Sequence, residues 1–174
     1  MTRFGSRAVA AVVLLTLTAL AGAGDNRLVH EGIVEAPRAA VWKAFTTKEG
    51  LEKWMVAHAE IDLKIGGKMR THYNRKGQLG DPGTIENTIL SYEPGRMLSI
   101  KATKAPAGFP FTNALQKMWT VIYFEDAPEG KTRVRVVGLG FGDDEESQKL
   151  RGHFQLGNGI TLKRLQKHFA DKGK

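Results

Sequence analysis

Alternation of hydrophobic and polar residues runs through most of the chain and predicts antiparallel β-strands. The clearest case is a hairpin in which residues 61–65 and 68–74 alternate on either side of a turn at Gly66-Gly67. The segment 75–83 is rich in glycine and other turn residues and predicts a loop. Further strands are predicted at residues 28–35, 84–92, 96–103, 117–125 and 132–141.

Three segments show helical spacing instead of alternation. Pro37 fits the first position of one short helix, and Thr46 begins a capping box for a second short helix. The last stretch, residues 143–170, predicts a long helix capped by Asp143. Its three glycines weaken a helix, so we expect a kink near Gly157.

The order of these elements predicts an α+β fold with helices on one face of a curved antiparallel sheet. Residues 104–115 contain two prolines and two phenylalanines without a consistent period, which predicts an irregular connection. Neither an internal repeat nor a low-complexity linker divides the chain. We therefore expect a single domain over residues 24–174.

The first 23 residues have the pattern of a secretory signal peptide. Arg3 and Arg7 precede an uncharged run of 14 residues, and Ala21-Gly22-Ala23 supplies small residues for cleavage. About 20 apolar residues are needed to span a bilayer, so a cleaved signal is favoured over a retained anchor. The sequence thus predicts an exported protein, either periplasmic or secreted. Because it has no cysteine, a lipid anchor on cysteine and disulfide bonds are both excluded.

The composition is that of an ordinary globular protein, with 41% hydrophobic and 25% charged residues, but the balance of charge is basic. Residues 1–23 carry two arginines and no acid, so their removal lowers the formal charge from +8 to +6. Export argues against nucleic acid as a partner, whereas weak contact with an anionic membrane surface stays open. The basic residues that suggest such contact are Lys163, Arg164, Lys167, Lys172 and Lys174.

Several short motifs, taken together with the order of elements, resemble the activator-of-Hsp90-ATPase-homologue-like family of the START-like (SRPBCC) superfamily. The resemblance covers residues 29–169. It implies a helix-grip fold in which about seven strands curl around the C-terminal helix, with two short helices after the first strand. It rests on Glu35-Ala36-Pro37 before Val41-Trp42-Lys43-Ala44-Phe45, then Leu51-Glu52-Lys53-Trp54, Ile65-Gly66-Gly67, and Leu162 with Leu165.

The resemblance also implies an apolar cavity between the sheet and the helix, which in related proteins holds lipids, sterols, hormones or polyketides. We therefore predict a small hydrophobic or amphipathic ligand and no Hsp90 contact, since the co-chaperone of that name is a larger cytosolic protein. Members of this branch often carry Gly-Trp where this chain has Gly157-Asn158. The predicted ligand-binding residues are Trp54, Met69, Tyr73, Asn87, Trp119, Phe141, Phe154 and Asn158, with Phe109 and Phe111 at the cavity mouth.

Other chemistry has weaker support in the sequence. The five histidines show no zinc-ligand spacing, and neither a cofactor motif nor a catalytic nucleophile is recognisable. His72 and Glu86 on neighbouring strands could form an acid–base pair, although alternation with Met69 and Tyr73 predicts that His72 faces solvent. Two alternatives to a binding protein stay open: a cyclase or hydrolase that uses the same cavity, and an envelope protein that acts through its surface because aromatic side chains fill the core. A cavity below about 300 Å³ would favour the latter.

Overall fold

The computed structural model describes residues 26–171, so the predicted signal peptide lies outside the described residues. Within them, no helix is long and apolar enough to span a bilayer. A 3-10 turn occupies Pro128–Gly130. The strands are β1 (Leu28–Val34), β2 (His58–Ile61), β3 (Lys68–His72), β4 (Ile85–Glu93), β5 (Met97–Lys104), β6 (Trp119–Ala127) and β7 (Lys131–Leu139), and the helices are α1 (Arg38–Thr46), α2 (Lys48–Trp54), α3 (Thr112–Lys117) and α4 (Glu145–Ala170).

The seven strands form one antiparallel sheet in the order β1-β7-β6-β5-β4-β3-β2. Strands β2 to β6 each pair with the next strand in the chain, and β1 forms one edge of the sheet by pairing with β7. Helices α1 and α2 carry the chain from β1 at one edge to β2 at the other. The predicted fold class, with two short helices after the first strand and a long helix at the end, is confirmed.

An aromatic cluster fixes the two short helices to the sheet. The ring of Phe45 lies 5.0 Å from that of Trp54 and 5.2 Å from that of Phe124 on β6, and Trp42 contacts Phe124 edge-on at 5.4 Å. The indole Nε1 of Trp54 donates a 3.0 Å hydrogen bond to the carbonyl oxygen of Ala44, which satisfies its polar atom. Such edge-to-face contacts add to the burial of apolar area and hold each ring in place.

Helix α4 lies against β1 and is anchored by apolar side chains near both of its ends. Near its beginning, Leu150 packs in one core cluster with Leu28 and Phe141. Towards its end, Leu162 and Leu165 belong to the larger core cluster that includes the α1 and α2 side chains. The helix is therefore held near both ends, with a stretch of about three turns between Leu150 and Leu162.

Hydrogen bonds from the helix to β1 strengthen this attachment. The Gln166 side chain donates to the carbonyl oxygen of Ile33 at 2.9 Å, and His30 Nε2 donates to the carbonyl oxygen of Gln155 at 2.9 Å. A Cβ atom on Gly32 would stand 2.9 Å from Gln166 Nε2 and 3.1 Å from a methyl group of Leu162. Glycine at this point of β1 lets the helix approach the strand closely.

The predicted hairpin is correct in its second strand and wrong in its first. Strand β2 is His58–Ile61, and residues 62–67 form bends instead of a strand. The cause is a pairing with β4: Gly66 N–H donates to the carbonyl of Ile89 at 2.8 Å, and Ile89 N–H donates to the carbonyl of Gly67 at 2.9 Å. This pairing turns Ile65 outwards, where 72% of it is exposed.

His72 is buried, with 6% exposed, so the prediction that it faces solvent is wrong. The loop after β3 folds back over the outer face of the sheet and covers the ring. A Cβ atom on Gly77 would overlap the imidazole, and one on Gly83 would lie 2.8 Å from its Nε2. Met69 faces inwards as predicted, and Tyr73, just beyond the end of β3, is half-exposed at the edge of the same face.

The predicted cap of α2 is off by one residue. The cap is Thr47, whose hydroxyl accepts a hydrogen bond from Gly50 N–H at 3.0 Å. Thr46 instead ends α1 and donates its hydroxyl proton to the carbonyl of Trp42 at 2.8 Å. The two helices follow each other so closely that adjacent threonines divide these two roles.

The start of α4 is also shifted by one residue, and the connection before β6 is less irregular than predicted. Asp144 caps the helix by accepting from Ser147 N–H at 2.9 Å, whereas Asp143 accepts from the Asn26 side chain at 2.7 Å. Part of the connection forms α3, which Glu146 holds by accepting backbone N–H bonds from two of its residues. Helix α4 continues without a break through Gly157, so no kink interrupts it at the expected position.

Glycine has opposite roles at two positions, and alanine substitution should separate them. A Cβ atom on Gly152 in α4 would have no heavy atom within 4 Å, so Gly152→Ala should raise the free energy of unfolding by about 0.5–1 kcal/mol. Gly140 has φ +81° and its Cβ would overlap the carbonyl of Lys117. Gly140→Ala should lower the free energy of unfolding by at least about 1 kcal/mol in urea denaturation. Equal effects of the two substitutions would contradict this reading.

The cap of α4 should make stability depend on pH. The backbone and hydroxyl hydrogen bonds from Ser147, with Lys117 nearby, lower the pKa of Asp144 to about 2. A depressed carboxyl pKa contributes stability above the unfolded-state value, and that contribution is lost as the pH falls towards 2. The melting temperature of Asp144→Asn, which keeps an acceptor oxygen, should lie below that of the parent at neutral pH. The gap should close between about pH 4 and pH 2, and a gap unchanged at pH 2 would contradict the assignment.

Candidate ligand-binding site

A cavity of about 490 Å³ lies between the inner face of the sheet and α4. Five neighbouring strands line it, each with alternate residues, because alternate side chains of a strand point to the same face. The sheet thus forms a continuous, mostly aliphatic wall. Its lining residues are Met69, Thr71, Ile85, Asn87, Ile100, Ala102, Thr120, Ile122, Val134 and Val136.

The opposite wall comes from the helices and from the connection before β6. Helix α4 contributes residues from successive turns of its inward face, and the middle of this stretch carries small or short side chains. The first two helices close one side of the cavity with larger groups. These lining residues are His153, Phe154, Gly157, Asn158, Thr161, Leu162 and Leu165 from α4, with Phe45, Leu51, Trp54 and Met55, then Ala105, Pro106, Phe109, Leu115 and Met118.

Among the described residues that line the cavity, none is an aspartate, glutamate, lysine or arginine. Its polar atoms come from neutral groups, above all the amides of Asn87 on β4 and Asn158 on α4. Neither amide forms a side-chain hydrogen bond with another residue of the described part of the chain. Each is therefore available to a molecule in the cavity, and an amide buried without any partner would cost free energy.

The cavity reaches the surface near Tyr73 and His153, both of which line it and are exposed. Burial of the phenol raises the pKa of Tyr73, and the positive charge of Arg164 nearby opposes that effect. Phe109 and Phe111 contact each other edge-on at 5.6 Å, and both rings contact His153, at 5.5 and 6.1 Å. These aromatic rings therefore lie where the connection before β6 meets α4.

Most of the residues predicted from the sequence lie at this cavity. Phe109 lines it as well, whereas its predicted companion Phe111 does not. Trp119 and Phe141 also lie outside the lining. The predicted residues in the lining are Trp54, Met69, Tyr73, Asn87, Phe154 and Asn158.

Trp119 and Phe141 lie outside the lining because of their positions in, or just beyond, a strand. Trp119 precedes Thr120, which lines the cavity, so alternation directs the indole away from the cavity and towards Gly140. Phe141 comes after the end of β7 and packs in the smaller core cluster, its ring 6.5 Å from that of Phe154. Both were selected by residue type, whereas their place in the strand decides where they point.

The same alternation of side chains along a strand identifies lining residues that a choice by residue type alone does not find. Alternation along β5, β6 and β7 places Ile100, Thr120 and Val136 on the inner face together with their partners two residues away. These are ordinary aliphatic or hydroxyl residues without a distinctive chemical signature. The alternation of each strand was the available signal for these residues. It identifies them only once it is known which face of the strand points inwards.

The acid–base pair considered from the sequence is not assembled. Glu86 accepts from Arg70 Nε at 3.0 Å and from Lys68 Nζ at 3.0 Å, and these hydrogen bonds lower the pKa of its carboxyl. His72 instead contacts Asn74 through Nδ1 at 3.2 Å. These groups lie on the outer face of the sheet, away from the cavity. No cluster of three or more potential metal ligands occurs among residues 26–171.

Comparison with known proteins agrees with the fold. A crystal structure of MLL2253 from Mesorhizobium loti is similar with a TM-score of 0.65 and 19% identity, and covers 85% of this chain and 98% of its own. The solution structure of the Aha1 dimer from Colwellia psychrerythraea is similar with a TM-score of 0.63 and 14% identity, and covers 82% of this chain and 95% of its own. The structure of XoxI from Bacillus cereus is similar with a TM-score of 0.63 and 18% identity, and covers 85% of this chain and 98% of its own.

At these identities the likeness shows the fold alone. Among curated proteins, none matches the chain. The family model described as Activator of Hsp90 ATPase homolog 1-like protein matches residues 35–170, from the end of β1 to the end of α4. The chain therefore belongs to the Activator of Hsp90 ATPase homolog 1-like family.

Proposed function

We propose that this protein binds a small, uncharged, hydrophobic or amphipathic molecule between its sheet and α4, and acts as a binder or carrier of it. The observation that carries the proposal is the cavity of about 490 Å³ with largely apolar walls. Pockets for small molecules are commonly about 300–1,000 Å³ and combine apolar walls with a few placed polar groups. The cavity fits both parts of that description.

The absence of charged groups among the described lining residues argues for an uncharged ligand. A charge transferred from water into an apolar cavity costs several kcal/mol unless an opposite charge compensates it, on the order of a buried unpaired ion. General acid–base catalysis has little support for a related reason. Tyr73 and His153 at the exposed edge are the titratable side chains of the described lining.

The two asparagines give such a ligand a defined orientation. Asn87 projects from the sheet, beside a register irregularity between Glu86 and Asn87, and Asn158 projects from the helix. An amide offers both a donor and an acceptor, so a ligand with a hydroxyl or carbonyl group can satisfy it. A ligand without such a group would leave the amides unpaired, which favours amphipathic molecules over pure hydrocarbons.

The filled-core alternative loses support because the large aromatic side chains do not occupy the space. Trp54 stays at the wall through its hydrogen bond to Ala44, and Trp119 lies outside the lining. Between the two anchored ends of α4, the inward positions include Gly157 and Asn158. A tryptophan at position 158 would fill volume that asparagine leaves open.

This difference in volume gives a direct test. Asn158→Trp should weaken binding of the neutral fluorescent probe N-phenyl-1-naphthylamine at least about tenfold, since the indole would occupy the ligand's space. Gln155→Trp, on an exposed position of the same helix, is the matched control and should bind the probe as the parent does. Binding is measured by fluorescence titration, and circular dichroism checks that both variants are folded.

Unchanged probe affinity in folded Asn158→Trp would place the probe elsewhere and contradict the proposal. Native mass spectrometry of the parent protein would complement the titration by detecting any molecule that co-purifies. A defined adduct that organic solvent removes would identify the ligand class.

We further propose that the protein is exported, on the strength of the signal pattern in residues 1–23. When the whole chain is expressed in a bacterium, the periplasmic fraction should contain a species that begins at Gly24. N-terminal sequencing and intact mass measurement check this start. Replacement of Leu14 and Leu15 by arginine in the apolar run should retain the chain in the cytoplasm at full length. A full-length chain found in the membrane fraction would instead support a retained anchor.

A further inference from the structure

Helix α4 presents an apolar patch on the face turned away from the cavity. Leu156 is 72% exposed and Ile160 is 54% exposed. They stand four residues apart, so they lie next to each other on one face of the helix. No heavy atom lies within 4 Å of the position where a Cβ would stand on Gly152 or Gly159, so nothing in the described chain covers the helix there.

Beyond its first turn, which carries Glu145 and Glu146, the charge on this helix is of one sign. Between Ser147 and Ala170 it carries five cationic side chains and no carboxylate. Lys163 and Arg164 follow Ile160 by three and four residues, which places them one turn from the patch. Neither forms an ion pair with another described residue, whereas the other lysines of α4 pair within the helix. Those pairs are Lys149 with Glu145 at 2.6 Å and Lys167 with Asp171 at 2.9 Å.

Exposed aliphatic groups beside unpaired cations fit an anionic bilayer surface. The aliphatic side chains can enter the boundary between headgroups and acyl chains while the cations stay with the lipid phosphates. A second copy of the chain fits less well. A symmetric contact here would bring Lys163 and Arg164 near their own counterparts, and two aliphatic side chains are few for an interface of about 800 Å² per partner.

We propose that the outer face of α4, formed by Leu156, Ile160, Lys163 and Arg164, docks the protein on an anionic membrane. Leu156 directly precedes Gly157, which lines the cavity, so the docking face adjoins a cavity wall. Docking would bring the cavity close to the bilayer. The docking proposal does not require the proposed ligand, because it rests on the exposed face alone.

Vesicle flotation with the chain from residue 24, which contains every described helix and strand, tests the proposal. Binding is compared between pure phosphatidylcholine and mixtures with phosphatidylglycerol, at low and high salt. We expect binding to the anionic vesicles, with loss at high salt because salt screens exposed charges. Leu156→Gln with Ile160→Gln, and separately Lys163→Glu with Arg164→Glu, should each lower the partition coefficient at least about tenfold.

Matched controls separate the patch from hydrophobicity and net charge in general. Ile65→Gln removes an aliphatic side chain that is 72% exposed elsewhere, and should leave binding unchanged. Lys101→Glu with Arg133→Glu reverses two charges on the outer face of the sheet and should change binding by no more than about threefold.

Three results would overturn the proposal. The first is equal binding to neutral and anionic vesicles. The second is an equal loss of vesicle binding from charge reversal on α4 and from charge reversal on the sheet. The third is a dimer in sedimentation experiments that Leu156→Gln dissociates, which would assign this face to a second copy of the chain. Because Asn158→Trp leaves the face intact, it should still bind vesicles, so failure of docking and failure of ligand binding can be told apart.

Discussion

The distance at which α4 stands from the sheet is the constraint on which the cavity depends. Leu150 secures one end of the helix in the smaller core cluster, and Leu162 and Leu165 secure the other end in the larger cluster. Between them, Gly157 and Asn158 are too small to reach the sheet. A helix is stiff over this length, so its two anchored ends hold the inward face of its middle away from β3 to β7, and the cavity does not collapse.

The pairing of β4 with β5 contains two irregularities of the kind that bends a sheet. Register irregularities in the pairing of β4 with β5 lie between Glu86 and Asn87 and between Ile89 and Ser91. An extra residue on one strand increases its local twist and bends it. One of these two irregularities, between Glu86 and Asn87, stands next to the Asn87 amide. The same point of β4 therefore affects both the shape of the cavity and one of its polar groups.

Much of the fold follows from local patterns, and the errors occur where distant residues decide the outcome. Alternation located six of the seven strands and the inward position of Met69. It failed at residues 62–65, because the backbone of the adjacent Gly66 and Gly67 pairs with Ile89, and at His72, because a later loop folds over it. No pattern within a few residues contains either contact. The family resemblance, by contrast, carried the overall arrangement, since it reflects the whole chain.

The candidate site was predictable to the extent that strand phase was used. Asn87 and Met69 follow from it, while Trp119 was chosen for its size although its neighbour Thr120 holds the inward position. Asn158 stood out because it departs from the Gly-Trp pair that members of the family often carry at this point. The volume between sheet and helix could not be derived, because it depends on how two core clusters pack at opposite ends of α4.

The charged side chains of α4 are also unevenly distributed along its length. Carboxylates lie at its beginning, in residues 143–146, and the unpaired cations Lys163 and Arg164 lie in its last third. At 1.5 Å per residue these groups are separated by roughly 30 Å, which is about four Debye lengths at physiological salt. Near a negatively charged surface, the field would pull one end and push the other. The torque would turn the C-terminal half of the helix towards the surface before any atom touched it, so the first encounter would already be oriented.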